Sequence, residues 1–174
     1  MSCHLYTKIK METTSQKQSN LVVYTDGSCT GNPGDGGFGF VIYKPDGKKK
    51  SYSGFVPETT TNNRMELLAI IQTIIKINHG YREYDTIDIY TDSNYVKQGL
   101  VDKNGVMLNG WIKGWVSKNW KGVKNDDMWR KLHQLLSTTS KTFRIHWVKA
   151  HSTNERNNYA DMLANRGRMK KYKT

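Results

Sequence analysis

Residues 86–101, TIDIYTDSNYVKQGLV, contain the pattern that decides the fold. In residues 86–91 two isoleucines alternate with polar residues, which is the period of a half-buried β-strand. Residues 93–101 are predicted to form a short helix that follows the strand directly. A strand that leads into a helix is typical of parallel α/β units, so we expect a parallel pair of strands in the sheet.

Three more strands are predicted before this unit. An apolar, β-branched segment at 21–25 is predicted to be the first strand, and a glycine cluster, GNPGDGGFG, follows it. Two further strands are predicted at 38–44 and 49–56, and Pro45-Asp46-Gly47 between them is typical of a hairpin turn. These three strands should therefore pair antiparallel.

Helical spacing of apolar residues accounts for most of the remaining chain. One helix of about four turns should bury Met65, Leu68, Ile71 and Ile75 and end at Gly80. The later elements are a helix at 126–136, a strand at 143–148 and a helix at 154–168, after a Trp- and Lys-rich segment at 103–125. The order predicts an α/β fold with a mixed five-stranded sheet flanked by helices.

Length and composition fit one domain that binds a polyanion. The chain has 174 residues, with 27 Lys plus Arg against 15 Asp plus Glu and a formal charge of +12. We expect a flexible polar leader at 1–20, one compact domain at 21–168 and a basic tail at 169–174. A basic excess with interleaved aromatic residues favours nucleic acid as the partner, although charge could simply keep the protein in solution.

Cysteines and apolar runs restrict the class of protein. Two cysteines, Cys3 and Cys29, form neither a disulfide framework nor a metal-binding pair. Apolar runs are far shorter than the roughly 20 residues of a membrane span, and the first residues have no signal-peptide core. The expected protein is a monomer without a membrane partner, in the cytoplasm or nucleus, with organellar targeting left open.

Two aspartates are predicted to meet at one edge of the sheet. A crossover between parallel strands is right-handed and usually joins neighbours, so the strands at 21–26 and 86–92 should lie side by side. Asp26 and Asp92 then both come at carboxyl ends of strands, where ligands bind in open α/β sheets. Glu66 and Asp161 could approach the same point from the faces of two helices.

Each acid also has an ordinary structural interpretation. Asp26-Gly27 is a common turn pair, Asp92 could cap a helix, and Asn63-x-x-Glu66 has the spacing of a capping box. Asp161 could be a solvated acid beside the apolar helix face. Together, however, four carboxylates would repel one another unless cations held them, and oxygen ligands suit two Mg²⁺ ions, or Mn²⁺ in their place. Paired ions of this kind cleave phosphodiesters.

Four stretches resemble the signature blocks of type 1 ribonuclease H, in the same order: TDGSCTGNPGDGGFGF at 25–40, TTNNRMELLA at 60–69, YTDSNYVKQG at 90–99 and WVKAHSTNERNNYADMLA at 147–164. The resemblance implies an endonuclease that hydrolyses the RNA strand of an RNA–DNA hybrid and leaves 5′-phosphate and 3′-hydroxyl ends. Asp26 would bridge both metals, Glu66 and Asp92 would complete the site nearest the leaving group, and Asp161 would help hold the metal that activates water.

The resemblance also implies substrate contacts. His151 matches a histidine that assists proton transfer or product release, although an exposed loop histidine would look the same. Five residues match contacts with the RNA strand, where 2′-hydroxyls distinguish RNA from DNA: Cys29, Asn32, Asn62, Asn94 and Gln98. Thr61 and Arg64 resemble a pocket for a phosphate of the DNA strand. Turns and helix caps are the alternative roles for several of these residues.

The segment at 103–125 resembles a basic handle that binds the hybrid. Trp111 and Trp115 lie four residues apart, so we expect them to pack a helix onto the core. Four other residues are predicted to contact the substrate: Lys113, Lys118, Trp120 and Lys121. Two other functions remain open, a DNA-processing nuclease or strand transferase of the same fold and a binding module without activity. All four acids are present, and 62–66 together with 27–29 favour ribonuclease H.

Overall fold

The computed structural model describes residues 20–172, so all but the last residue of the predicted leader lies outside the described part. The elements, in chain order, are β1 Leu21–Gly31, β2 Gly34–Tyr43, β3 Lys49–Phe55, α1 Asn62–Gly80, β4 Thr86–Thr91, α2 Asn94–Leu100, α3 Trp111–Ser117, α4 Asp126–Thr138, β5 Thr142–Trp147 and α5 Glu155–Met169. Within residues 20–172 no helix has both the length and the apolar character that crossing a membrane requires.

The five strands form one mixed sheet in the order β3-β2-β1-β4-β5. β1 pairs antiparallel with β2 and parallel with β4, which in turn pairs parallel with β5. The predicted α/β fold and the predicted adjacency of the first and fourth strands are confirmed. α1 packs on one face of the sheet, and α5 packs on the other face against β1, β2 and β3.

The prediction that the first strand ends at Asp26 was wrong. β1 continues to Gly31 and β2 begins at Gly34, so Asp26 lies within a strand and pairs with Gly39. The glycines allow the close approach of α5, because a Cβ atom at Gly39 would lie only 2.5 Å from the backbone nitrogen of Ala164. A residue with a side chain there would push the helix away from the sheet.

α1 buries more of its surface than the predicted stripe. Met65 and Ile71 are buried as expected, whereas Leu68 and Ile75 are only half-buried. Five further apolar residues are fully buried: Leu67, Ala69, Ile70, Ile74 and Ile77. The helix contacts β1 and β2 on one side and α4 on another, so its buried face is wider than one stripe.

Candidate active site

Three carboxylates converge at the carboxyl end of β4. In the parallel pairing of β1 with β4, Tyr24 lies opposite Tyr90, so the same register continued by two residues places Asp26 beside Asp92. Glu66 approaches from α1, and one carboxylate oxygen from each of the three acids lies within 4.8 Å of the others. The predicted meeting of these residues is therefore present in the structure.

Glu66 does not cap its helix. The N-cap of α1 is Thr61, whose hydroxyl accepts a hydrogen bond from the backbone N–H of Arg64 at 3.4 Å. Glu66 lies beyond the first turn, and it is only 4% exposed. The capping-box interpretation was wrong, because the N-cap is Thr61 and the helix therefore begins two residues earlier than that spacing requires.

The two aspartates also have roles other than the structural alternatives. Ser93 caps α2 by accepting a hydrogen bond from the N–H of Val96, whereas Asp92 Oδ2 accepts one from Asn157 Nδ2 at 3.0 Å. Asp26 Oδ1 accepts a hydrogen bond from the N–H of Gly27 at 2.9 Å, inside β1 rather than in a turn. One oxygen of each aspartate is thus held in place by a hydrogen bond.

Asp161 approaches the cluster from α5. It is half-buried beside the buried residues Ala160 and Leu163, which form the predicted apolar face. Its carboxylate lies near enough to Asp26 for its charge and a side-chain hydrogen bond to raise the pKa of that residue. The structure therefore brings all four predicted acids together, with Asp161 beside the tight group of three.

The electrostatics of the cluster favour a bound cation. Burial, followed by the charges of Asp92 and Asp161, raises the pKa of Asp26 to about 8. Burial and the charges of Asp26 and Asp92 raise the pKa of Glu66 well above its ordinary value, and Glu66 Oε2 is buried without a hydrogen-bond partner. Carboxylates crowded in this way fit hard divalent cations, which neutralise their repulsion.

The raised pKa of Asp26 should make the stability of the metal-free protein depend on pH. The ordinary pKa of Asp26 is 3.8 and folding raises it to about 8, so between these values the folded protein holds a proton that the unfolded chain has lost. In chelator, the free energy of unfolding should therefore fall as the pH rises through this window. Urea unfolding across the window checks this. Asp26→Asn should flatten the slope, and a slope of opposite sign would contradict the assigned environment.

The predicted contacts with the RNA strand lie around this edge of the sheet. Cys29 is half-buried, and its thiol donates a hydrogen bond to the carbonyl of Thr60 at 3.4 Å. Asn32 Oδ1 accepts a hydrogen bond from the backbone N–H of Asn62 at 3.3 Å. The side chain of Asn62 is exposed. The other predicted residues of this group, and the predicted proton-transfer residue, are exposed on α2 and on the loop before α5: Asn94, Gln98 and His151.

Arg64 has a partner that the sequence did not suggest. Its guanidinium donates two hydrogen bonds to the carboxylate of Asp127, at 2.9 and 2.7 Å, and one to Asn125 Oδ1 at 3.4 Å. Asp127 is the second residue of α4 and lies 63 residues from Arg64 in sequence. Only the fold brings the two residues together, and no local pattern indicates the pair.

In the segment at 103–125 the buried and exposed tryptophans are not all those that were predicted. Trp120 is only 8% exposed and packs in the main core, with the guanidinium of Arg130 5.3 Å from its ring centre. The prediction that Trp120 contacts the substrate was wrong, because a ring that is buried in the core cannot reach a bound nucleic acid. Trp115 packs against the core as expected, whereas Trp111 is 44% exposed. The predicted lysines are exposed at Lys113, Lys118 and Lys121.

A mixed α/β sheet with a carboxylate cluster beside two adjacent parallel strands, on a strongly basic chain, defines a class of nucleases that bind divalent cations. The family model described as RNase H matches residues 18–169. Ribonuclease H of a Polaromonas species is 36% identical over 92% of this chain and 94% of its own length. Ribonuclease H of Parvibaculum lavamentivorans is 41% identical over 83% of this chain and 89% of its own.

The chain belongs to the ribonuclease H family and is a ribonuclease H enzyme, as its four sequence blocks predicted. A solved structure described as LC11-RNase H1 in complex with RNA/DNA hybrid has a TM-score of 0.62 to this fold. That match covers 86% of this chain and 97% of the other at 20% identity, so it supports the fold alone.

Proposed function

We propose that this ribonuclease H is an endonuclease that hydrolyses the RNA strand of RNA–DNA hybrids by two-metal catalysis, leaving 5′-phosphate and 3′-hydroxyl ends. The observation that carries the proposal is the cluster of Asp26, Glu66 and Asp92, of which the first two are buried and the third is half-buried, with Asp161 beside it. Glu66 Oε2, which has no hydrogen-bond partner, and the raised pKa values of Asp26 and Glu66 fit a site for divalent cations. Membership of the ribonuclease H family supports the choice of substrate, and LC11-RNase H1, a protein of the same fold, is described in complex with an RNA/DNA hybrid.

The four acids would share two Mg²⁺ ions, for which Mn²⁺ is a substitute. Asp26 would contact both ions, Glu66 and Asp92 would hold one, and Asp161 would help hold the other. When bound, such a pair of ions lowers the pKa of an attacking water and stabilises the leaving oxygen of the phosphodiester.

Other residues of the chain would orient the acids and handle protons. The N–H of Gly27 and the amide of Asn157 fix one oxygen each of Asp26 and Asp92, which leaves their remaining lone pairs for cations. His151, exposed on the loop before α5, is proposed to assist proton transfer or product release. An imidazole ring has one nitrogen that can accept a proton and one that can donate a proton.

Recognition of the hybrid would use both strands. The RNA strand is assigned to Cys29, Asn32, Asn62, Asn94 and Gln98, which can contact 2′-hydroxyls through side-chain or backbone groups. A phosphate of the DNA strand is assigned to Thr61 and Arg64. Because Asp127 already occupies two donors of Arg64, this arginine would offer a phosphate its remaining N–H groups and its charge.

The lysines of the handle give a prediction for binding. Replacing Lys113, Lys118 and Lys121 by alanine should weaken hybrid binding and reduce its salt dependence, because each lysine that contacts a phosphate adds about 1 to the slope of log K against log salt. Turnover at saturating substrate should change little. Fluorescence anisotropy at several salt concentrations measures the slope.

The matched control removes three lysines from the other end of the molecule. The three lysines adjoin the β2–β3 turn: Lys48, Lys49 and Lys50. The last residue of β2, Tyr43, pairs with Val22 near the start of β1, so this turn lies at the opposite end of β1 from Asp26. Replacing these lysines changes the net charge equally but should leave the slope nearly unchanged. An equal loss of slope in both triple variants would mean that only overall charge matters.

The proposed chemistry is tested with a hybrid whose RNA strand carries a label at either end. Incubation with Mg²⁺ should give internal cuts, and the fragments should carry 5′-phosphate and 3′-hydroxyl groups. A chelator should stop the reaction, and added Mg²⁺ should restore it. Fragments with 3′-phosphate or cyclic phosphate ends would contradict the proposed attack by water.

A further inference from the structure

One face of α5 carries three polar residues at intervals of four: Asn157, Asp161 and Asn165. Residues four apart lie above one another on a helix, so all three side chains face the carboxylate cluster or its border. Asn157, only 1% exposed, donates to Asp92, and Asn165 Nδ2 donates to Asp161 Oδ1 at 3.0 Å. Each amide thus holds a different acid of the site.

The amide of Asn165 is oriented by two further residues. Its Oδ1 accepts a hydrogen bond from the hydroxyl of Ser28 at 2.7 Å, and Arg168 Nε donates to the same hydroxyl at 3.4 Å. An Arg168 amino group also lies 3.5 Å from Asn165 Oδ1. Because arginine has only donors, the oxygen of the amide must face Arg168, and the NH₂ group must then face Asp161.

These contacts form one directed series of donors, from Arg168 to Ser28, from Ser28 to Asn165 and from Asn165 to Asp161. Asp161 is half-buried on α5 beside the other carboxylates of the cluster, so its carboxylate needs a partner that fixes its orientation. Asn165 lies on the same helix, but the hydroxyl of Ser28 ties the Asn165 amide to β1, the strand of Asp26. The hydrogen bond from Asn165 therefore restrains rotation of the Asp161 carboxylate relative to the rest of the cluster.

We propose that Asn165, supported by Ser28 and Arg168, is a positioning residue that fixes the carboxylate of Asp161 for a divalent cation. The inference rests on the proposed function, since that function assigns a cation to Asp161. Asn165 does not touch the reacting atoms and acts only through Asp161. Its contribution is therefore to cation affinity, and the chemistry at saturating cation should not depend on it.

Asn165→Ala should weaken the binding of Mn²⁺ in the absence of substrate by about tenfold, the scale for partners of metal ligands. Loss of the free-ion electron paramagnetic resonance signal measures this binding directly on the full chain. The Mg²⁺ concentration for half-maximal cleavage should rise in proportion, whereas KM for the hybrid and kcat at saturating Mg²⁺ should stay near those of the original protein.

Ser28→Ala should give a smaller loss, and the double variant should lose no more than Asn165→Ala alone, because both residues act in one series. Met162→Ala is the matched control, since Met162 is an exposed neighbour on α5 and should bind Mn²⁺ normally. Normal Mn²⁺ affinity in Asn165→Ala, with or without a lower Tm, would overturn the inference. Absence of both Mn²⁺ binding and cleavage in the unaltered protein would instead overturn the proposed function.

Discussion

Asp26→Asn should reduce cleavage of the RNA strand by more than the roughly 10- to 100-fold that is lost with an outer partner of a metal ligand. Asp26 lies at the centre of the cluster, next to Glu66, Asp92 and Asp161. Asparagine has nearly the same volume as aspartate but lacks the negative charge. An NH₂ group, which can only donate, replaces one of the two carboxylate oxygens. Asparagine therefore cannot hold two cations in the way proposed for the carboxylate.

Single-turnover cleavage of a labelled hybrid at saturating Mg²⁺ measures this loss. Far-ultraviolet circular dichroism should confirm that the variant is folded, since the substitution removes repulsion from a buried site. Asp46→Asn is the control, because Asp46 lies in the β2–β3 turn at the other end of β1. Near-normal cleavage by Asp26→Asn would refute the assigned mechanism.

Gly27→Ala should cost about 3 kcal/mol or more of unfolding free energy, at the upper end for overpacked sites. A Cβ atom at this position would lie 2.3 Å from the backbone nitrogen of Glu66 and 2.5 Å from the carbonyl carbon of Met65. Both atoms belong to the backbone of α1, so no side-chain rotation can relieve the clash. The helix would have to move away from β1 and would carry Glu66 with it.

Urea unfolding measures the stability of this variant, and Mg²⁺-dependent cleavage should fall as well. Gly114→Ala is a matched control with the opposite expected sign. Gly114 lies inside α3, and a Cβ atom at this position would meet no neighbouring atom within 4 Å. Alanine there should therefore stabilise the helix by about 0.5–1 kcal/mol. Equal stability of the two variants would contradict the close contact between β1 and α1.

The topology and the main site could be predicted because they depend on short patterns and general rules. Alternation at 86–91 followed by a helix indicated the parallel unit, and the handedness rule placed the strands of Asp26 and Asp92 together. The convergence of Glu66 and Asp161 depended on the coincidence of four acids, and capping rules alone would have assigned Glu66 wrongly.

Other features depend on contacts between distant parts of the chain. Nothing local in the glycine cluster shows that strands continue through it, because the reason lies in α5, which packs on Gly37 and Gly39. Trp120 looks like a substrate contact until the core is known to enclose it. The Arg64–Asp127 pair has no local signal. For Asn165 a signal existed, since its spacing of four from Asp161 places both residues on one helix face.

Substrate discrimination is the most direct test of the central claim. The full chain is incubated with four labelled substrates of the same sequence, an RNA–DNA hybrid, duplex RNA, duplex DNA and single-stranded RNA, each with Mg²⁺ and with chelator. We expect cleavage of the RNA strand of the hybrid with Mg²⁺ and no comparable cleavage in the other seven reactions. Equal cleavage of duplex DNA, or cleavage of the hybrid in chelator, would contradict the account.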